Sequence, residues 1–277
     1  MRRTLLLSLL GAAMAVAGAR AVAAGPAAEP ALPFVGQDAF YHLRLGGPGG
    51  SDVVAGGGQM GYEVIDACNG WAVRQRLEMT LIDGDGQVTR TVSDYATWEA
   101  KDGLAFRFHT VDTTDGEVDD RLDGEAHLDR PGGPGEVTYT APKKTTMALP
   151  AGTMFPMWQT EAIIRAAQAG KKFITMPLFD GTGADGASLS SVAIDGWDPP
   201  AADPASVGAG RFPVLAALPS TRVHVAFFSR KPDAVLPDFE IAMRYFSNGV
   251  ADGLAMDFGD FTMEGQLARL AILPSHC

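Results

Sequence analysis

The chain has 277 residues, and 33 acidic against 22 basic side chains leave a formal net charge of −11. That charge makes nucleic acid and anionic lipid head groups poor partners. The length suffices for one large β domain with a sizeable core, and 33 glycines with 18 prolines call for many turns.

The N-terminus reads as an export signal. Arg2-Arg3 precedes an apolar run over 4–19, and Ala21-Val22-Ala23-Ala24 supplies small residues for cleavage, so 1–24 is expected to be a secretory signal peptide. A membrane anchor is the competing reading, but the run is short, Arg20 interrupts it and a Pro/Ala tail over 25–33 follows. No cysteine follows the cleavage region, which argues against lipidation. The expected location is a Gram-negative periplasm. Cleavage takes Arg2, Arg3 and Arg20 out of the 22 basic residues, and 19 against 33 leaves a charge near −14.

From 34 to 277 we expect a single, mainly β domain. A first strand lies in 34–45 and a glycine-rich connection in 46–58. The strand 60–67 ends at Cys68, where Asn69-Gly70 signals a type I′ hairpin that sets Cys68 opposite Trp71. In the return strand Trp71, Val73, Leu77, Met79 and Leu81 alternate with Arg74, Arg76, Glu78 and Thr80. Asp83-Gly84-Asp85-Gly86 resembles the start of a calcium loop, but the later acidic ligands are missing, so it reads as a turn. Strands follow over 88–100 and 104–111. An acidic strand over 117–127 reads as an edge, and a short one follows over 136–141.

The period then changes. Phe155-Pro156 opens a helix over 157–169, closed by Gly170 and the cations Lys171 and Lys172. Trp158, Ala162, Ala166 and Ala169 make an apolar stripe expected to face the sheet. Strands return over 173–179, 189–194, 222–229 and 238–246, separated by loops over 180–186 and 198–210 and a turn at 230–233. After the Asn248-Gly249 turn, Leu254, Met256 and Phe258 alternate up to Gly259-Asp260, a two-residue loop suited to a type II′ hairpin. Folding there sets Phe258 opposite Phe261 and Met256 opposite Met263. A strand over 267–273 carries the chain to its end. The count is about a dozen strands and one helix.

Cys68 and Cys277 are the only cysteines. In an oxidising periplasm they read as one disulfide. Closing so long a loop stabilises by roughly 5 kcal/mol at most. Two buried free thiols, or a metal site using His276 and Cys277, are the weaker alternatives.

No constellation for catalysis stands out. There is no Gly-x-Ser-x-Gly elbow, and His42, His109, His127, His224 and His276 are isolated. A pair of carboxylates that meets only in three dimensions would make a periplasmic hydrolase, and that is the competing functional reading.

Several motifs, in order along most of the chain, carry a resemblance. They are Gly61-Tyr62-Glu63 before Cys68-x-Gly70, the helix after Met154-Phe155-Pro156, Phe179-Asp180-Gly181, Asn248-Gly249-Val250, the run from Met256 to Phe261, and Cys277 after Leu273-Pro274. In these the chain resembles the EipB-like family of exported envelope-integrity proteins of Gram-negative bacteria. The resemblance implies a strongly curved antiparallel β-spiral or half-barrel with one helix on its concave side and one disulfide, similar in shape to lipoprotein-carrier and sigma-regulator domains. It implies a non-catalytic role in envelope integrity. The implied partner is a periplasmic protein, for which a helical-repeat protein is plausible, or a lipid or lipoprotein. No cofactor and no metal are expected.

The concave face is the expected binding face. Its candidate residues are Trp158, Phe106, Phe108, Met256, Phe258 and Phe261. These and their in-phase neighbours supply more apolar surface than one short helix covers, and an apolar cleft on an exported protein marks binding. A closed barrel filled by the same side chains is the competing arrangement.

Overall fold

The structure, a computed structural model, describes residues 32–46, 52–201, 211–230 and 234–277. The expected signal peptide, most of the 25–33 tail, 47–51 of the glycine-rich connection, 202–210 of the long loop and 231–233 of the turn lie outside the described residues.

One antiparallel sheet carries every described strand. The chain enters in its middle with β1 (Gly36–Leu45). It steps outward through β2 (Val53–Asp66), β3 (Gly70–Asp83), β4 (Val88–Ala100), β5 (Ala105–Thr114), β6 (Glu117–Leu128) and β7 (Gly135–Ala141) to the edge strand β8 (Thr145–Leu149). Helix α1 (Pro156–Gln168) carries it to the opposite edge. There β9 (Phe173–Leu178) starts a second meander through β10 (Ser188–Ile194), β11 (Ser220–Phe228), β12 (Phe239–Phe246) and β13 (Ala251–Asp257). It ends when β14 (Thr262–Leu273) pairs with the free side of β1. Just past β8, Met154 forms a single parallel bridge to Leu178, its N–H donating to Pro177 O at 2.9 Å. Fourteen strands thus form one curved sheet that is not closed, in line with the half-barrel implied by the resemblance.

Four details of the sequence reading need correction. The glycine-rich stretch is strand from Val53 onward, with Gly56, Gly57 and Gly58 paired to Leu81, Thr80 and Met79. The pairing is close enough that a Cβ on Gly58 would stand 2.1 Å from Glu78 O, so the glycines admit the neighbour instead of breaking the strand. The acidic strand β6 lies between β5 and β7 and not at an edge; its charges project outward while Leu122, Ala126 and Leu128 are buried. Cys68 is a turn residue, and Trp71 faces Asp66. The N–H of Ala67 donates to Gly70 O at 2.9 Å, which leaves Cys68 in the left-handed region at φ 64°. Finally, a second short helix, α2 (Pro213–Ala216), follows the long loop and sinks Leu215 into the core.

Helix α1 lies on the concave side, as expected, but it presents a different face. Gln159, Ile163, Ile164, Ala166 and Ala167 are its buried residues, whereas Trp158 and Ala162 are half-buried and Ala169 is exposed. Ile163, Ala166 and Ala167 pack on Met176, Val192, Ile194, Val223 and Val225 of β9–β11. The two isoleucines bring far more apolar area than the alanines of the expected stripe. Gln159 joins the buried face because its amide donates to Ser190 Oγ at 2.6 Å. Trp158 instead covers Gly103, where φ is 70° and a Cβ would sit 2.4 Å from the indole.

The C-terminal hairpin forms as read. Met256 pairs with Met263, Gly259 has φ 87°, and the Phe258 and Phe261 rings stack with centroids 5.0 Å apart. One strand, β14, continues unbroken from that turn to Leu273. The tail beyond it reaches the β2–β3 turn, where Cys68 and Cys277 are bonded with Cα atoms 5.4 Å apart. Asp66 organises this junction. Its carboxylate accepts from Lys101 Nζ at 2.6 Å, Cys68 N at 3.0 Å and Ser275 Oγ at 3.1 Å.

Candidate binding cleft

Strand β12 shows how the site is built. Phe239, Ile241, Met243 and Tyr245 alternate along it and point to the concave face, seven residues from first to last, about 20 Å at a strand's rise. Inward residues of the neighbouring β13 and of β1–β3 continue the wall, and Met157 and Thr160 of α1 form a further side. Between them lies a cleft of about 270 Å³. Its wall is mostly apolar, with Met60, Leu77, Ile241, Met243, Leu254 and Met256 as the main side chains. An apolar cavity of roughly 150 Å³ already takes up benzene, so this one has room for a substantial apolar group. Leu77, Ile241, Met243 and Tyr245 are only half-buried, so the interior is not filled at this place.

At one end of the cleft, Phe239 and Phe258 also wall a second cavity of about 510 Å³, which is lined by the 180–188 loop together with Ser229, Arg230 and Asp238. The two rings belong to a row that runs from Phe227 through Phe239 and Phe258 to Phe261, with centroid spacings of 5.9, 5.2 and 5.0 Å. At the other end stand Gln37, Tyr245, Asn248 and Gly249.

The six expected binding residues divide between separate regions. Met256 and Phe258 line the cleft, and Phe261 stacks behind Phe258. Phe106 and Phe108 lie elsewhere, 1% and 4% exposed in an aromatic cluster with Tyr139, Phe155 and Phe179. They are core residues of the β5–β8 half. Trp158 is on the helix flank that faces Gly103, and its Nε1 donates to Lys101 O at 3.3 Å. Sequence reading missed Gln37, Tyr62, Ile241, Met243, Met157 and Thr160 as lining residues. The alternation over β12 was visible; which strands would face the exposed side of α1 was not, because it depends on how far the sheet curls.

The interior also holds polar groups, each with a physical role. Tyr41 donates to Ala251 O at 2.7 Å and Tyr95 to Asp180 O at 2.7 Å. Burial raises the pKa of Tyr41, Tyr62, Tyr95 and Tyr245, so all four stay protonated and act as hydroxyl groups. Glu99, 1% exposed, reaches across from β4 to the start of α1. Its two oxygens accept from Met157 N at 2.7 Å and Trp158 N at 2.9 Å. Burial pushes its pKa up to about 8, against the pull of those two donors, and Glu161 adds like-charge repulsion.

A buried carboxyl with a raised pKa is what a hydrolase acid requires. Here both oxygens cap a helix whose first residues lack a side-chain cap of their own, and Glu99 is not among the residues lining the cleft. Glu161 is held by Arg165 at 2.6 Å. Among the described residues no group of three His, Cys, Asp or Glu could hold a metal ion, and no helix is long and apolar enough to cross a membrane.

Comparison with known proteins follows the fold. The EipB-like family profile matches residues 28–274. The cell envelope integrity protein EipB of Brucella abortus (strain 2308) is 31% identical over 254 residues, covering 90% of this chain and 88% of that protein. The crystal structure of a β-barrel-like protein of domain of unknown function DUF1849, also from Brucella abortus, superposes with a TM-score of 0.79 at 28% identity. It covers 88% of this chain and 100% of that one.

Proposed function

The chain belongs to the EipB-like family, and from that membership we propose that it is an exported, non-catalytic protein that supports the integrity of the cell envelope. It does so from the periplasm by receiving an apolar chain, either an acyl chain or the apolar face of a protein segment, in the cleft between β12 and α1. The observation that carries this reading is the cleft itself. Half-buried Leu77, Ile241, Met243 and Tyr245 line it, and α1, against whose cluster the last three also pack, leaves part of each uncovered. Uncovered apolar surface of this kind on a chain handled in water marks a binding site. The methionines on its wall adapt to occupants of different shape.

The test fills the cleft. Met243→Trp places an indole in the lumen. The purified variant should bind a fluorescent fatty acid at least about ten-fold more weakly than the wild type while melting at a similar temperature. In a strain lacking the gene it should fail to restore resistance to envelope stress. A variant that restores resistance and binds nothing would detach the cleft from the cellular role.

A further inference from the structure

Resting on the cleft as a binding site, we propose that its occupant is an apolar chain that carries a hydrogen-bond donor, a hydroxyl or an N–H, which Gln37 Oε1 receives at the β1 end. Gln37 is 3% exposed and lines the cleft. Its Oε1 meets no donor among the described residues. Buried polar atoms are almost always paired, so an unpaired acceptor in a residue that lines a cavity is a demand for a partner.

No neighbour supplies one. The Tyr41 hydroxyl hydrogen is committed to Ala251 O. The Oδ1 of Asn248 is taken by Val250 N at 3.2 Å, and the N–H groups of that amide make no bond to Gln37 Oε1. Phe34, Val35 and Val64 complete the wall at this end and offer no side-chain donor. The Gln37 amide is also loosely held. Its Nε2 donates to Gly249 O at 3.5 Å, the outer limit of a hydrogen bond, so the group can turn its oxygen toward the lumen for the loss of one weak contact. A chain ending in a plain methyl leaves Gln37 unmet. A carboxylate brings only acceptors and opposes it. A hydroxyl or N–H satisfies it, and the apolar remainder then runs along β12 toward Phe239 and Phe258.

The experiment uses the full disulfide-bonded chain and three ligands of equal chain length. Decanol, decyl methyl ether and decanoate each displace a fluorescent apolar probe, N-phenylnaphthylamine, from the wild type and from Gln37→Met. Decanol should bind about ten-fold more tightly than the ether to the wild type, with decanoate weakest. In Gln37→Met the alcohol and ether should come within about two-fold of each other, because the acceptor is gone. The melting temperature of that variant should change little, since the loss of one weak bond to Gly249 O is offset by the loss of an unpaired buried acceptor. Equal binding of alcohol and ether to the wild type, or a preference that survives in Gln37→Met, overturns the proposal and leaves the cleft as a plain apolar site. If neither the probe nor any of the three ligands binds, the cleft reading falls with it. Should Gln37→Met fold poorly, the wild-type comparison alone decides.

Discussion

Glu99 makes stability depend on pH in a direction unusual for a carboxylate. In the unfolded chain it titrates at its ordinary value of 4.5, and in the folded chain burial holds it up to about 8. Between those values the native state binds a proton that the unfolded state has released. The contribution is therefore fully present below about pH 4.5 and is lost as pH rises through about 8. Each unit of difference is worth about 1.4 kcal/mol, so the whole interval amounts to roughly 5 kcal/mol. Urea unfolding measured from about pH 6 to about pH 9 should show the wild type losing stability with a slope approaching about 1.4 kcal/mol per pH unit, flattening above the folded-state pKa. Glu99→Gln removes the titration. The variant keeps one acceptor for the two helix N–H groups, so it should be less stable than the wild type by about 1 kcal/mol near pH 6, match it near about pH 7, and be the more stable of the two by roughly 2 kcal/mol at about pH 9. Parallel wild-type and variant curves across this range would refute the assignment and place the pH dependence on other groups.

Three further outcomes are expected. Thiol labelling of the denatured, unreduced protein should modify neither cysteine, and Cys277→Ser should lower the unfolding free energy by up to about 5 kcal/mol, the figure for a loop of this length. On α1, Ile163→Ala should cost roughly 2–5 kcal/mol in chemical denaturation because it opens a hole against β10 and β11; Ala162→Glu should cost under about 1 kcal/mol on its half-buried flank, and the reverse order would restore the alanine stripe. Gly103→Ala should cost about 2–3 kcal/mol in the same assay, combining a left-handed φ with the close indole of Trp158; an unchanged midpoint would show that the loop relaxes away from the ring.

What the sequence made legible is what is local. The two-residue turn at Gly259-Asp260 fixed the pairing of Met256 with Met263, and alternation found the strands even where their outer faces are charged. Helix α1 was visible from Pro156 and Gly170. Its buried face was not, since a glutamine becomes an inward residue only when a partner such as Ser190 arrives from β10, thirty-one positions away. The glycine-rich strand was misread because small residues there serve close contact with β3, which lies beyond the stretch itself. Phe106 and Phe108 show the same limit. Their alternation said inward, correctly, but inward has more than one destination in a sheet this wide. Glu99 left no signal at all. It sits in a polar strand among residues of similar type, and only the arrival of α1 gives it two donors.

The position of the cleft follows from how the interior is divided. Three sets of side chains fill it. Around Phe106, Phe108, Phe155 and Phe179, the β5–β8 half packs its own aromatic cluster and needs no helix. On the other side, α1 commits Ile163, Ala166 and Ala167 to β9–β11. The remaining set, around β1–β3, β12, β13 and β14, touches the α1 cluster only along β12, through Ile241, Met243 and Tyr245; Met157 and Thr160 are what the helix offers to the cleft, and Leu215 is what α2 adds. One helix of 13 residues spans about 20 Å and has a single broad face to give, so it cannot also cover the whole of this third set. The uncovered strands are the first and last of the domain and their immediate neighbours. The Cys68–Cys277 bond closes over this wall by tying the β2–β3 turn to the end of β14. An open apolar surface is costly to hold in water unless its walls are kept apart by other means. Here the paired strands and the tether supply that restraint, so the cleft can stay formed.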